Sequence, residues 1–264
     1  MADQAALRHS RHALLDGIDD EGVAALRAAR VLLIGAGGLG CPAALYLSAS
    51  GIGRLHWFDG DKVDATNLAR QTLFGPADIG QFKVTAGAAA LGRTSPETEV
   101  IAEPRFVDAS LLDAAIPLAD VVLDCTDQWS IRQLINARCV AHRKPLVSAA
   151  AIEWSGQLMC VDPRQSEQAC YACVFDPQTE PVAHACGAYG VLSPLVGAMG
   201  CLQAAEAIKL AVRGQHPGST LPSAAQTLTL VDMKTASWQQ VRISRNPACP
   251  VCQSGRTKAA AGGD

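Results

Sequence analysis

Arg30-Val31-Leu32-Leu33-Ile34 runs straight into Gly35-Ala36-Gly37-Gly38-Leu39-Gly40, and Cys41 to Ser50, rich in Ala and Leu, follows at once. A short continuous apolar run is the pattern of a parallel strand buried on both faces. Strand, G-x-G-x-x-G and helix in that order form the context a phosphate-binding loop requires. Its glycines, Gly38 among them, make the tight turn and admit a phosphate to the backbone. The helix N-terminus behind them offers unpaired N–H groups and a positive dipole end. Asp59 closes the next apolar run, Arg54 to Phe58, about 20 residues on, where an acid holds ribose hydroxyls. A nucleotide-binding sheet is therefore the expectation from which the rest of the chain is read.

The same alternation continues. Lys83 to Leu91 reads as an Ala-rich helix, Glu99 to Ala102 as a strand and Ala109 to Ile116 as a helix. Asp120 to Asp124 reads as another buried strand, Ser130 to His142 as a helix and Pro145 to Ser148 as a strand. Ahead of the loop, residues 7–29 are expected to be helical, with Leu14-Leu15 and Leu26 on apolar faces. Such a succession folds most naturally into a Rossmann-like, doubly wound, mainly parallel α/β sheet. From about Ala151 the pattern changes. Glu153 to Val161 and Leu228 to Ile243 look like an antiparallel extension, separated by an Ala- and Leu-rich helix from Val191 to Val212. The expected organisation is a single domain over residues 1–252, with its nucleotide-binding part at about 30–150, and then a flexible tail over 253–264.

A second set of residues narrows the kind of nucleotide. Asp61, Asn67-Leu68-Ala69-Arg70-Gln71, Lys83 and Asp124-Cys125-Thr126-Asp127 fall at or beyond strand ends, where open α/β sheets carry ligand contacts. Two cations, an Asn and a late acidic pair suit a triphosphate with a metal. An NAD-dependent oxidoreductase explains Gly35 to Gly40 and Asp59 but gives Arg70, Lys83 and Asp127 nothing to do. A catalytically silent zinc-containing binding protein keeps the fold and leaves the same three side chains idle. Asp61 and Asp64 read more simply as loop carboxylates than as ligands, and Asp124 as an organiser of its turn.

Ten cysteines without a basic, apolar leader at the N-terminus favour reduced thiols and metal ligation, and with them a cytoplasmic setting. Cys170-Tyr171-Ala172-Cys173 and Cys249-Pro250-Val251-Cys252 are two C-x-x-C pairs about 75 residues apart. Four thiolates complete a tetrahedral zinc shell with no open position, so the expected role is structural. Cys41, Cys125, Cys139, Cys160 and Cys201 lie in apolar stretches and are expected to pack. The histidines show no ligand spacing. A formal charge of −3 gives no support for nucleic acid as the main partner. Gly, Pro or charge interrupts the apolar segments before they reach the length of a membrane span.

Taken together these residues resemble the MoeB/ThiF/HesA family, the bacterial relatives of ubiquitin-activating enzymes. The resemblance runs from about Arg8 to Cys252. It takes in Arg8-His9-Ser10-Arg11, the glycine loop, Asn67 to Gln71, Ala77 to Gly80 before Lys83, the Asp124–Asp127 pair, Gly190-Val191, Leu202 to Lys209 and both cysteine pairs. It implies ATP- and magnesium-dependent adenylation of the C-terminal glycine of a ubiquitin-like sulfur-carrier protein ending in Gly-Gly. It also implies a role for each site residue. Asp59 binds ribose; Asn67, Arg70 and Lys83 contact phosphates; Asp127 holds magnesium. Arg11 reaches the phosphates of the other subunit of a homodimer, and residues of about 151–252 bind carrier and zinc. Cys186 stands where relatives carry a cysteine able to form a covalent sulfur or thioester intermediate; a small loop or core residue is the competing account.

The chain departs from the family pattern at Gln128, where Asn is usual, at Ala69, where Gln is common, and at His12, where Gln is frequent. None of these removes a charge from the presumed site, though finer carrier or nucleotide contacts are put in question. A sulfurtransferase domain of the kind fused to some relatives does not follow Cys252, so sulfur is expected from a separate donor protein. Gly40-Cys41-Pro42-Ala43 and the length lean towards the MoeB type, which serves molybdopterin synthase. The ThiF type, serving the thiamine carrier, is the alternative.

Overall fold

Residues 2–165, 167–179 and 190–253 are described in a computed structural model. Helices α1 (Ala2–Ala13) and α2 (Asp19–Ala28) precede β1 (Arg30–Ile34), α3 (Gly40–Ala49) and β2 (Arg54–Phe58). After the connection over residues 60–81 come α4 (Lys83–Thr94), β3 (Glu99–Glu103), α5 (Ala109–Ala115), β4 (Val121–Asp124) and α6 (Trp129–Ala141). The hairpin of β5 (Leu146–Ile152) and β6 (Ser155–Val161) follows, then the short α7 (Tyr171–Val174), α8 (Ser193–Gln215), and β7 (Thr227–Asp232) with β8 (Ser237–Arg242). All the strands join one sheet in the order β3-β2-β1-β4-β5-β6-β7-β8. The pairs from β3 to β5 are parallel and those from β5 to β8 antiparallel, so the expected extension continues the same sheet.

Alternation along the central strands explains why they read as unbroken apolar runs. Val31, Leu33, Val121 and Leu123 point into one core with α3 and α8. Leu32, Ile34 and Val122 point into the other, with α5, α6 and the first cysteine pair. Both faces are covered, so both sets must be apolar. By length and composition α8 is apolar enough to cross a bilayer, which the sequence reading did not anticipate. Here Leu195, Met199, Ala207, Leu210 and Val212 spend that apolarity on the core against α3 and the sheet.

Two expectations need correction. The helix expected over residues 7–29 is split in two, and Leu14 and Leu15 are 77% and 51% exposed in the break rather than buried. Gly17 at φ +80° and Asp19 at φ +51° turn the chain left-handed, and Asp19 then accepts from the N–H groups of Glu21 and Gly22 to start α2. Likewise, β5 continues past Ser148 to Ile152. Glu153, at φ +49°, is in the tight turn to β6 rather than in a strand.

Gly40 shows why the loop sequence is so restricted. A Cβ there would lie 2.0 Å from the Gly35 carbonyl oxygen, and one on Gly35, at φ +101°, would lie 2.6 Å from that of Cys125. Backbone cannot rotate away as a side chain can. Gly40→Ala is therefore expected to cost about 3 kcal/mol of stability, measured by urea unfolding. Gly92→Ala, which meets nothing within 4 Å, serves as the neutral control.

Candidate active site

The carboxyl ends of β1, β2 and β4 converge on one crevice. Gly35 N–H donates to the Phe58 carbonyl and Cys125 N–H to that of Ile34, so the glycine loop is seated between its two neighbouring strands. Asp59, just past β2, accepts from the Ala36 N–H at 2.6 Å and from the Asp61 N–H at 2.7 Å. Burial raises its pKa, opposed by those two hydrogen bonds and by the nearby Lys83 charge. The acid is thus fixed against the first residues of the loop, where a ribose would lie.

Lys83 opens α4 and is only 6% exposed. Its Nζ is 2.9 Å from Asp61 Oδ2, and its backbone N–H donates to the Asp61 carbonyl. Asp61 is therefore more than a loop carboxylate: it is the carboxylate partner of the buried lysine. The connection also folds back so that Lys62 bridges Phe82. Asp64 does behave as the loop carboxylate expected, capping the short turn Ala65–Asn67 by accepting from Thr66. Asn67 Oδ1 accepts from the Asp64 N–H at 3.3 Å, so this face of the amide is used by the turn itself.

Arg70 donates to the Thr66 carbonyl at 3.1 Å, and its stem passes close to Gly38, where a Cβ would meet Arg70 Cγ at 3.5 Å. The same Cβ would meet Val196 of α8 at 2.9 Å, so helix packing as well as ligand approach restricts this position. Gln71 is 3% exposed, with its Nε2 beside Gly37, and its buried Oε1 has no partner in the protein. The sequence placed Gln71 within a motif and gave it no role; the structure buries its amide beneath the glycine loop.

On the β4 side, Asp124 is 1% exposed and fully engaged. Its Oδ1 accepts from the Thr126 N–H and hydroxyl at 3.0 and 2.7 Å, its Oδ2 from the Ser148 hydroxyl at 2.7 Å, and its carbonyl from Gln203 Nε2. It organises the turn, as expected. Asp127 is exposed and lies between β4 and α6. One exposed carboxylate beside a phosphate crevice suits magnesium, which takes few protein ligands and completes its shell with phosphate and water.

Cys170, Cys173, Cys249 and Cys252 come together with all four Sγ atoms within 4.8 Å of one another. Individual separations are 3.9 Å for Cys170–Cys173, 3.6 Å for Cys170–Cys249 and 3.5 Å for Cys173–Cys252. Tetrahedral zinc with bonds of about 2.3 Å requires sulfurs about 3.8 Å apart. The cluster fits that metal. Cys41, Cys125, Cys139 and Cys160 are buried elsewhere, and burial pushes all four thiols up, that of Cys41 to about 12. They are packing residues with little thiolate character.

The ThiF family model matches residues 9–251. The chain belongs to the ThiF family. It is 42% identical over 252 residues to the Sulfur carrier protein ThiS adenylyltransferase of Escherichia coli K12, covering 96% of this chain and 97% of that one. To the Molybdopterin-synthase adenylyltransferase of the same organism it is 40% identical over 252 residues, covering 96% and 98%. Among solved structures, E. coli MccB with ATP superposes at a TM-score of 0.73 with 22% identity over 88% of this chain and 69% of that one. PaaA gives 0.75 with 18% identity over 92% and 75%. These last two establish the fold alone. With family and relatives matched along nearly its whole length, the chain is an adenylyltransferase, which decides against the nicotinamide reading.

Within this ThiF-family chain, Asp59, Lys83 and Arg70 are placed around the loop that holds Gly38, Asn67 lies on the same connection as Arg70, and Asp127 follows β4 at that end of the sheet. Arg11 is not among them. Its helix α1 is anchored through Arg8 to Glu97 at 3.0 Å and through His9, whose ring packs on Gly51. Those contacts lie at the amino ends of β2 and β3, the opposite end of the sheet. Cys186 falls outside the described residues.

Proposed function

We propose that this adenylyltransferase uses ATP to activate the C-terminal glycine of a ubiquitin-like sulfur-carrier protein in molybdopterin biosynthesis. The observation that carries the reading is the grouping around one glycine loop: Asp59 on the Ala36 N–H, the buried Lys83 paired with Asp61, and the Arg70 stem beside Gly38. The incoming glycine carboxylate is already ionised at neutral pH, so no general base is needed. It attacks the α-phosphorus, pyrophosphate departs, and an acyl-adenylate remains. The obstacle is bringing one anion onto another, and fixed cations lower it most. Lys83 and Arg70 would neutralise the phosphates, Asp59 would hold the ribose and Asn67 would close the loop over the nucleotide. Magnesium held by Asp127 would supply Lewis-acid charge neutralisation on the departing phosphates.

Arg11, at the far end of its own chain, is proposed to serve the crevice of a second copy, which makes the working form a homodimer. A separate donor would then convert the adenylate to a thiocarboxylate. A second reading, in which the carrier is that of thiamine synthesis, is favoured by the 42% relative, whose name specifies ThiS. The deciding experiment is ATP–pyrophosphate exchange with a molybdopterin-synthase small subunit and, separately, a thiamine sulfur carrier. Exchange with the first carrier, abolished in Asp127→Ala, is the expected result. Exchange with the second alone would transfer the proposal to the thiamine pathway, and ATP binding without exchange by either would overturn both.

A further inference from the structure

Asn136 stands inside α6 at 0% exposure, where neither helix formation nor burial favours it. Asparagine is one of the weaker helix formers, and a buried amide costs stability unless its polar atoms are paired. Its partners lie in the first cysteine pair. Asn136 Oδ1 accepts from the Tyr171 N–H at 2.9 Å, and Nδ2 donates to Cys170 Sγ at 3.7 Å. A backbone N–H can only donate, so the amide oxygen must face Tyr171 and the nitrogen is left for the sulfur. One turn earlier on the same helix face, Gln133 Nε2 donates to the Phe175 carbonyl at 2.7 Å. The Trp129 ring meets that of Phe175 edge-on at 6.2 Å between centroids. Helix α6 thus grips the segment from Cys170 to Phe175, and of these contacts the Asn136 amide is the one that reaches a sulfur.

We infer that Asn136 is a positioning residue of the zinc site, its amide N–H serving a sulfur ligand of the metal. This rests on reading the four cysteines as a zinc site. Zinc held by four thiolates carries a net negative charge. Cys170 and Cys249, at 2% and 0% exposure, set one side of that charge in the core, where it is costly unless hydrogen-bonded. The N–H aimed at Cys170 supplies such a bond. The Oδ1 bond fixes the next backbone unit, so one amide holds both the sulfur and the chain that carries it. Cysteine spacing gives no sign of this residue, which lies on another element 34 positions from Cys170.

The test replaces zinc by Co2+ and reads the sulfur-to-cobalt charge-transfer absorption, beside zinc affinity from competition with a chelator. Wild type, Asn136→Leu and Gln133→Leu are compared. Leucine fills much of the space of the amide but cannot donate. A sulfur that loses a hydrogen bond gives up electron density more readily. The charge-transfer band of Asn136→Leu is therefore expected at longer wavelength, and its zinc affinity to fall about 10-fold or more, the scale for losing a partner of a metal ligand. Gln133→Leu removes a tie to the same segment without touching a sulfur. Its band is expected at the wild-type position, with zinc affinity within about 3-fold of wild type. A wild-type band in Asn136→Leu would overturn the inference. So would an equal shift in both variants, which would mean that α6 acts on the segment by packing alone. Asn136→Ala carries the same comparison if the leucine variant does not fold. Wild-type protein that takes up neither metal would overturn the zinc reading itself and leave the proposed activity standing.

Discussion

Lys83→Met is expected to lower carrier-dependent pyrophosphate exchange by about 10²- to 10³-fold, the scale for removing one preorganised group that faces developing charge. The structure separates this loss from a loss of stability. Methionine keeps the stem that fills the start of α4, so packing there changes little. The ion-pair partner left behind, Asp61, has a side chain that is 54% exposed and is rehydrated by water at small cost. A melting temperature close to wild type, with the KM for carrier also unmoved, is therefore part of the expectation. Single-turnover measurement of adenylate formation checks it. A variant that retained more than about a third of wild-type exchange would show that the lysine serves the fold and not the phosphates.

The parts of this molecule that were legible in the sequence share one physical origin. Central parallel strands are buried on both faces, so Val31 to Ile34 and Val121 to Leu123 announce themselves as continuous apolar runs. The glycine loop announces itself because backbone meets backbone at Gly35 and Gly40, and nothing larger fits. Paired cysteines are legible because a C-x-x-C turn sets two thiolates close enough to share one metal. What stayed hidden depends on partners far apart along the chain. Asp61 read as a loop acid because its partner is 22 residues away, across a fold-back that no local pattern signals. Arg132 sits on a helix whose composition is ordinary, and only its contacts with Thr126 and Asp124 show that its charge is buried and paired. Leu14 and Leu15 had the spacing of a buried helix face, but the left-handed residues that follow break the helix before it can bury them. Arg11 marks a different limit. Its position on the chain was legible, but its helix is anchored at the amino ends of β2 and β3, so the proposed role in a second copy has no counterpart within one chain.

Cys249→Ser tests whether the metal cluster carries the weight its geometry implies. Cys249 and Cys170 are both within 2% of full burial and lie in the same core as Leu228 and Ile243. A serine hydroxyl is a poor zinc ligand at neutral pH, because it does not ionise as a thiol does. Three ligands then face a position that only water can fill. Metal-binding energy in such sites is folding energy, since the unfolded chain has no site to fill. The variant is expected to purify with well under one zinc per chain and to lose about 5 kcal/mol of stability. At this chain length that corresponds to a fall in melting temperature of about 10 °C or more, measured by calorimetry beside zinc analysis. The loss should be uneven. The central parallel strands share a core with Cys170 and Cys249 but are also held by their own sheet pairing, while the segments around Cys170–Cys173 and Cys249–Cys252 are held by the cluster on both sides. Limited proteolysis should therefore cut first at those two segments, before the glycine loop is touched. Full zinc content with unchanged melting would mean that the fourth sulfur is dispensable and that the C-terminal strands hold themselves in place by packing alone.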